Sequence, residues 1–113
     1  MYEYKGKIKR IVDGDTIEVI IDLGFEVNIT QVLRLNRIDA FETTLRNNTT
    51  PEQKILGIKG KEFLTGFLPE NTKIVIRTEK NDKYDRYLAE VFFNNINVND
   101  LMVKEGYAIY KTY

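Results

Sequence analysis

The sequence predicts a mixed, mainly β protein: a five-stranded Greek-key barrel with two to three short helices. Three observations favour this fold class. The first 38 residues alternate apolar and polar side chains as strands do, a capped helix begins near Thr50, and two further strand-like segments precede a second short helix. With 113 residues the chain has the length of one domain with one core, so we expect residues 1–113 to form a single domain.

Three strands are predicted before the helix, over residues 4–12, 16–23 and 26–38. The first two are joined by Asp13-Gly14, a strong turn dipeptide, which places Asp15 just past the turn. Side chains alternate across a strand, so Leu33 and Leu35 point to one face of the third strand and Arg34 to the other. Arg34 is therefore expected to face away from the core.

A helix is predicted to follow, because Thr50 suits the N-cap, Pro51 the first helical position and Gln53 the third position of a capping box. Pro69 marks its end. The apolar face of this helix is expected to consist of Ile55, Leu56, Phe63, Leu64 and Phe67.

The remaining elements are strands over residues 73–78 and 87–93, joined by a charged stretch over 79–86, and a helix over 98–105. Asn97 is its predicted N-cap and Gly106 the residue after its C-cap. The order β-β-β-α-β-β-α matches the OB-fold, a partly open Greek-key barrel that binds oligonucleotides in many proteins.

The composition excludes several classes of chemistry. With no Cys and no His, the chain has no disulfide, no zinc site of the Cys/His kind, no Cys nucleophile and no Ser-His-Asp triad. A general base must be a carboxylate, Lys or Tyr, and a metal must be held by oxygen. The formal net charge of +0 gives no global electrostatic signal for nucleic acid.

No apolar run is long enough for a membrane helix, so we expect no membrane partner. The first residues also lack the apolar stretch of a secretory signal. The expected location is therefore the cytoplasm if the sequence is complete as given, or outside the cell if a leader was removed.

Three acidic residues lie at predicted strand ends: Asp15 after the first turn, and Asp39 and Glu42 after the third strand. Carboxylates at the ends of neighbouring strands can converge, and such a cluster repels itself unless a cation lies among them. The alternative is that each is an ordinary solvated turn residue.

Two arginines form the second candidate group, Arg34 on the third strand and Arg86 at the end of the charged stretch. A planar guanidinium suits bidentate contact with phosphate. The alternatives are an exposed strand charge for Arg34 and an ion pair with Asp85 or Glu79 for Arg86.

Basic residues also cluster locally. One group, Lys5, Lys7, Lys9 and Arg10, lies on the first strand, and the charged stretch holds Lys80, Lys83 and Arg86 beside Tyr84 and Tyr87. Basic residues interleaved with aromatic ones suit a single nucleic-acid strand with stacked bases. A solvated hairpin tip is the alternative, and composition alone favours it.

Four blocks of sequence together resemble the staphylococcal nuclease (thermonuclease) family. They are Val12-Asp13-Gly14-Asp15-Thr16, then Leu33-Arg34-Leu35-Asn36-Arg37-Ile38-Asp39 followed by Glu42-Thr43, then Asp82-Lys83-Tyr84-Asp85-Arg86-Tyr87-Leu88-Ala89, and Val103-Lys104-Glu105-Gly106-Tyr107-Ala108. They occur in the family's order and span nearly the whole chain. The ordered set is much more specific than any single block.

The resemblance implies a role for individual residues. Asp15, Asp39 and the backbone carbonyl of Ala40 match the family's Ca²⁺ ligands, and Glu42 matches the glutamate that orients or deprotonates the attacking water. Arg34 and Arg86 match the pair that holds the phosphate. The residues expected to bind the nucleotide are Lys83, Tyr84 and, as a second tyrosine, either Tyr110 or Tyr113.

The expected function is a Ca²⁺-dependent nuclease that hydrolyses phosphodiester bonds of DNA and RNA. We expect a monomer that prefers single-stranded or locally melted substrates and, by resemblance, leaves 3′-phosphates. The chemistry agrees, because this reaction needs a cation, guanidinium groups and a carboxylate, and neither His nor Cys. The alternative is a catalytically inactive OB-fold module that binds single-stranded nucleic acid or a protein.

Overall fold

A computed structural model describes residues 2–42, 49–81 and 87–111, without the side chains of residues 79–81. Strands hold more of these residues than helices do. The elements are β1 (Tyr2–Asp13), β2 (Thr16–Asp22), β3 (Asn28–Leu35), β4 (Ile38–Ala40), α1 (Pro51–Phe67), β5 (Lys73–Asn81), β6 (Tyr87–Phe93), β7 (Ile96–Asn97), α2 (Val98–Lys104) and β8 (Ala108–Tyr110).

Five of the strands close into a barrel. They lie in the order β3-β2-β1-β5-β6 with antiparallel neighbours, and a parallel pairing of β3 with β6 closes the sheet on itself. In that closing pair Arg34 lies opposite Leu88, while on its other side Arg34 lies opposite Thr16. The predicted OB-fold class, a five-stranded mixed barrel with two helices, is confirmed.

The core fills the barrel as the alternation predicts. Ile17, Val19 and Ile21 of β2 point inward and are at most 5% exposed. Leu33 and Leu35 of β3 are buried beside them. Because both neighbours of Arg34 point inward, its side chain starts from the outer face of the barrel.

The prediction of one strand over residues 26–38 is wrong. β3 ends at Leu35, a turn follows in which Arg37 has φ 67°, and the chain continues as the separate strand β4. β4 pairs with β8, with Asp39 opposite Ile109, outside the barrel sheet. The two partners are far apart in sequence and three residues long each, so no local periodicity indicates the pairing.

Helix α1 begins with the predicted capping box, since Thr50 Oγ1 accepts from the Gln53 N–H and Gln53 Oε1 accepts from the Thr50 N–H. The expected apolar face is wrong at Ile55, which is 52% exposed. The buried residues of α1 are Gly57, Gly60 and Leu64. Leu64 is part of the core, and Phe63 and Phe67 pack against it. Gly57 and Gly60 instead allow close approach to Glu42 and Tyr107, which are tertiary contacts that apolar periodicity does not predict.

Helix α2 matches its prediction at both ends. Asn97 caps its N-terminus by accepting from the Asp100 N–H, and Gly106 has φ 85°, the left-handed conformation that ends many helices. Within the described ranges, neither helix has the length and apolar composition needed to cross a membrane.

Candidate active site

Asp15, Arg34 and Asp39 meet at one end of the barrel. Nη2 of Arg34 lies 3.1 Å from Oδ2 of Asp15 and 3.3 Å from Oδ1 of Asp39. Asp15 follows the β1–β2 turn, Arg34 lies in β3 and Asp39 in β4, so three separate elements supply the three charges. The predicted convergence of Asp15 and Asp39 is thus present in the structure.

Arg34 is nearly buried at 5% exposure, although its side chain leaves the outer face of the barrel. Its Nη1 donates to the carbonyls of Leu35 at 3.2 Å and Asp15 at 3.4 Å. The alternative of an exposed strand charge is therefore wrong. Contacts to backbone carbonyls on one nitrogen and to carboxylates on the other fix the orientation of the guanidinium plane.

Asp15 is held by several hydrogen bonds. Its Oδ2 accepts from the Ala40 N–H at 2.9 Å, and its Oδ1 accepts from the Thr16 hydroxyl at 3.0 Å. Burial raises the pKa of the Asp15 carboxyl, and this outweighs the lowering by Arg34 and by these hydrogen bonds. The charged form of Asp15 is therefore less favourable here than in water, because burial removes the carboxylate from solvent.

The approach of the β1–β2 turn to β4 depends on Gly14. A Cβ at that position would lie 3.1 Å from the Ala40 Cβ, so the turn packs directly against β4. The Asp15 carboxylate can then reach the backbone N–H of Ala40. A larger residue at position 14 would separate these two segments of the site.

Asp39 lies on the more open side of the group. Its side chain is 39% exposed, and its Oδ2 is 3.7 Å from the ammonium of Lys111. Solvent, and so a cation or a phosphate, has access to the group from this side. No sequence pattern singles out Lys111, because nothing local indicates that β8 returns beside β4.

The register of β4 and β8 places the Ala40 backbone toward Asp15. The Phe41 N–H donates to the Tyr107 carbonyl and the Lys111 N–H to the Arg37 carbonyl, so Asp39 and Ile109 are the hydrogen-bonded pair between them. Ala40 is a non-hydrogen-bonded position toward β8, and its N–H donates to Asp15 instead. Its carbonyl lies on that same strand edge, beside the carboxylates.

Glu42 lies two residues past the end of β4 and has an exposed side chain. Its backbone packs against α1 so closely that a Cβ on Gly57 would overlap the Glu42 carbonyl group. Gly57 therefore determines how near α1 comes to the segment that carries Glu42. The sequence shows Gly57 only as a weak point in a helix, since its contact is tertiary.

Comparison with known proteins identifies the family. The family profile described as "Staphylococcal nuclease homologue" matches residues 32–113, which include Arg34, Asp39 and Glu42. The chain belongs to the staphylococcal nuclease family. The resemblance inferred from the four sequence blocks is thereby confirmed.

Several curated proteins are similar to this family member over most of its length. An uncharacterized protein of Methanocaldococcus jannaschii is 36% identical over 93% of the chain, which spans 58% of that protein. Endonuclease YhcR of Bacillus subtilis is 37% identical over 94% of the chain, which spans 9% of that protein. Thermonuclease of Staphylococcus hyicus is 36% identical over 95% of the chain, which spans 59% of that protein.

This chain thus spans less than two thirds of each of these relatives. Family membership and the nuclease names of two of them support a nuclease function.

The oxygen atoms beside Arg34 suit the metal ion that nucleases of this family use. Asp15, Asp39 and the Ala40 carbonyl supply only hard oxygen donors, the type that Ca²⁺ prefers. Across residues 2–42, 49–81 and 87–111, no group of three or more His, Cys, Asp or Glu side chains is placed to hold a metal. A cation here would therefore rely on two carboxylates and a backbone carbonyl, with water or substrate oxygens completing the about six to eight ligands of Ca²⁺.

The structure does not bring Tyr110 to this group. Its cross-strand partner is Ile38, which precedes Asp39 in β4, so Tyr110 and Asp39 lie on opposite faces of the β4–β8 ribbon. The Tyr110 hydroxyl donates to Asp100 of α2 at 3.0 Å, and this hydrogen bond is the main reason that its pKa is raised. Its role in nucleotide binding stays a prediction, as do those of Lys83, Tyr84, Arg86 and Tyr113, which lie outside the described residues.

Two further groups hold the turn between β3 and β4 in this family member. Asn99 of α2 is fully buried and donates to the carbonyls of Asn36 and Ala89, both at 2.9 Å, while its Oδ1 accepts from the Val91 N–H. Arg37 donates to both carboxylate oxygens of Glu90, at 3.0 and 2.7 Å. The sequence does not predict a structural role for either residue, since polar residues are common in short helices and charged residues are common in turns.

Proposed function

We propose that this chain is a Ca²⁺-dependent nuclease that hydrolyses phosphodiester bonds of DNA and RNA, prefers single-stranded or locally melted substrates and leaves 3′-phosphates. The supporting observation is the convergence of Asp15, Asp39 and the Ala40 backbone on Arg34 in a member of the staphylococcal nuclease family. The group combines oxygen donors with a guanidinium and opens to solvent at Asp39. That combination suits a dianionic transition state better than it suits a neutral ligand.

Asp15, Asp39 and the Ala40 carbonyl would hold the cation. A Ca²⁺ ion bound there offsets the charge of the phosphate and polarises its oxygens. The raised pKa of Asp15 agrees with this role, because a nearby cation removes the electrostatic cost of ionising a buried carboxyl.

Arg34 would stabilise the phosphate. Its backbone contacts hold the guanidinium in place before substrate arrives, and preorganised donors of this kind act where negative charge develops. Arg86 is the proposed second guanidinium, supported by the family resemblance of the block from Asp82 to Ala89.

Glu42 would act on the water. In a chain without His, a general base must be a carboxylate, Lys or Tyr, and Glu42 supplies an exposed carboxylate two residues past the end of β4. Gly57 allows α1 to pack against the segment that carries Glu42. In the proposed reaction Glu42 takes a proton from the water as the new oxygen–phosphorus bond forms. The bond from phosphorus to the 5′ oxygen breaks, the 5′ oxygen takes a proton from solvent and leaves as a 5′-hydroxyl, and the phosphate stays on the 3′ oxygen.

The decisive experiment compares cleavage of single-stranded DNA in Ca²⁺ and in a chelator. We expect cleavage with Ca²⁺ only, and Asp15→Asn and Asp39→Asn are each expected to lower Ca²⁺ affinity, measured by calorimetric titration. Glu62→Gln is the matched control, since it removes one exposed carboxylate of α1 far along the chain from the site.

Cleavage in the chelator would contradict the metal mechanism. Unchanged Ca²⁺ affinity in both Asp variants would contradict the assignment of the ligands. Binding of DNA without cleavage in either condition would instead support the inactive binding module.

A further inference from the structure

A cavity of about 750 Å³ opens on the outer face of the barrel, away from Arg34. It lies where β1, β2, β5 and the β6–β7 turn meet. Its lining includes Lys5, Lys7, Lys73, Asp22, Phe92 and Asn94. Three ammonium groups thus face one opening with a single carboxylate among its lining residues.

The lysines of this cavity are placed unfavourably for the protein alone. Lys7 of β1 lies directly opposite Lys73 of β5, and like charges at such cross-strand positions destabilise a sheet. In the part of the chain that the structure describes, Lys5, Lys7 and Lys73 form no ion pair. Asp22 lies directly opposite Lys5 in the β1–β2 register, and the residues that line the cavity include no second carboxylate for Lys7 and Lys73. A bound anion would relieve the repulsion between Lys7 and Lys73.

The cavity shares one face of β2 with the candidate active site. Thr16 lies opposite Arg34, and Ile20 and Asp22, four and six residues further along the same face, line the cavity. At about 3.3 Å per residue, the cavity lies roughly 13–20 Å from the row of Arg34. At about 3.4 Å per nucleotide of one strand, this separation corresponds to about 4–6 nucleotides. That length is within the about 4–16 nucleotides that one OB barrel covers.

Exposed aromatic surface stands beside the cavity. The loop between Asp22 and Asn28, both of which line it, carries Phe25 at 101% exposure. The flanking residues Leu23 and Val27 are also exposed, at 42% and 51%. Aromatic rings next to ammonium groups suit a nucleic-acid strand, whose bases stack while its phosphates pair. A free phosphate would use the lysines but not Phe25.

We propose that this cavity binds the sugar-phosphate backbone of a single nucleic-acid strand, several nucleotides from the bond that is cleaved. Lys5, Lys7 and Lys73 contact its phosphates, and Phe25 stacks on one of its bases. The inference rests on the proposed nuclease function, since the strand is part of the same substrate. It explains how a chain of zero net charge holds a long polyanion, because the positive charge is concentrated where the strand runs.

The test measures binding of labelled oligothymidylates of about 4 and about 16 nucleotides by fluorescence anisotropy, in a chelator and over a series of salt concentrations. The variant Lys5→Gln/Lys7→Gln/Lys73→Gln is compared with Lys59→Gln/Lys61→Gln/Lys104→Gln, which removes the same charge from exposed helix positions. For the longer strand, losing three phosphate contacts is expected to make the slope of log affinity against log salt shallower by about 2. The control keeps the parental slope.

Phe25→Ala tests the stacking contact separately. We expect it to weaken binding of the longer strand about tenfold without changing the salt slope, because it removes no charge. The thermal midpoint of Lys7→Gln is expected to equal or exceed that of the parent, since one member of the like-charged pair is gone.

Two results separate this proposal from the nuclease proposal. If the parent cleaves DNA with Ca²⁺ but the cavity variant and the control have equal salt slopes, the cavity proposal is overturned and the nuclease proposal stands. If the parent cleaves nothing but the cavity variant alone loses affinity for the longer strand, the cavity proposal is supported and the nuclease proposal is overturned.

Discussion

The carboxylate of Asp15 and the guanidinium of Arg34 are 3.1 Å apart and almost entirely removed from water, yet the pKa of Asp15 is raised. Burial penalises the carboxylate more than Arg34 favours it, and Asp39 adds repulsion. The pair is therefore arranged for something other than maximal stability of the protein alone.

Asp15→Asn is expected to leave the protein at least as stable as the parent at neutral pH in a chelator. The folded pKa of Asp15 lies above its ordinary value of 3.8, so ionisation costs stability above the folded pKa and costs nothing below 3.8. The stability advantage of the variant should therefore shrink as pH falls through the folded pKa toward 3.8. Urea unfolding of the parent and of Asp15→Asn at several pH values measures this difference in stability. A difference that grows on acidification would contradict the claim that burial raises the pKa of Asp15.

Gly57→Ala and Gly66→Ala are expected to change stability in opposite directions. A Cβ at Gly57 overlaps the Glu42 carbonyl, so this variant should lose about 1–3 kcal/mol of unfolding free energy and also lose activity. A Cβ at Gly66 meets nothing within 4 Å, so the better helix propensity of Ala should add about 0.5–1 kcal/mol. Thermal unfolding of both variants measures the two changes in stability. Equal changes would show that α1 does not pack tightly against the Glu42 backbone.

Glu42→Gln is expected to lower turnover about 100-fold or more while Ca²⁺ and nucleotide affinities stay within about threefold of the parent. A general base contributes mainly in the transition state, so its loss affects kcat more than binding. Steady-state kinetics and calorimetry on the same preparation separate the two, with Glu62→Gln as the charge-matched control. Equal losses of binding and turnover would instead show that Glu42 helps to hold the metal or the structure of the site.

Arg86→Lys is expected to lower turnover about 100- to 1,000-fold at near-parental thermal stability, because Lys keeps the charge but not the bidentate geometry. If Arg86 only pairs with Asp85 on a solvated hairpin, the change is worth about 0–1 kcal/mol and turnover stays within about threefold. Turnover in that narrow range would exclude Arg86 from catalysis.

Arg37→Lys is the informative comparison, since Arg37 forms a bidentate pair with Glu90 and a further contact with Asp100 at 3.0 Å. Its loss should lower the unfolding free energy by about 1 kcal/mol, with a smaller effect on turnover than that of Arg86→Lys.

The sequence by itself predicted the barrel and both helix starts, and its resemblance to the staphylococcal nuclease family put Asp15, Arg34 and Asp39 in one site. The elements follow from local rules: alternation sets which face of β3 holds Arg34, and Thr50 and Asn97 cap the helices through hydrogen bonds to residues three positions away. Because the chain has no His and no Cys, a metal must be held by oxygen and a general base must be a carboxylate, Lys or Tyr.

Only the tertiary structure decided how that group is held and what surrounds it. The β4–β8 pairing orients the Ala40 backbone and brings Lys111 to Asp39, and Asn99 fixes the turn between β3 and β4. The cavity at Lys7 and Lys73 likewise exists because β1 pairs with β5. Each of these contacts joins residues distant in the chain, and their energies depend on burial and register, which local sequence patterns do not specify.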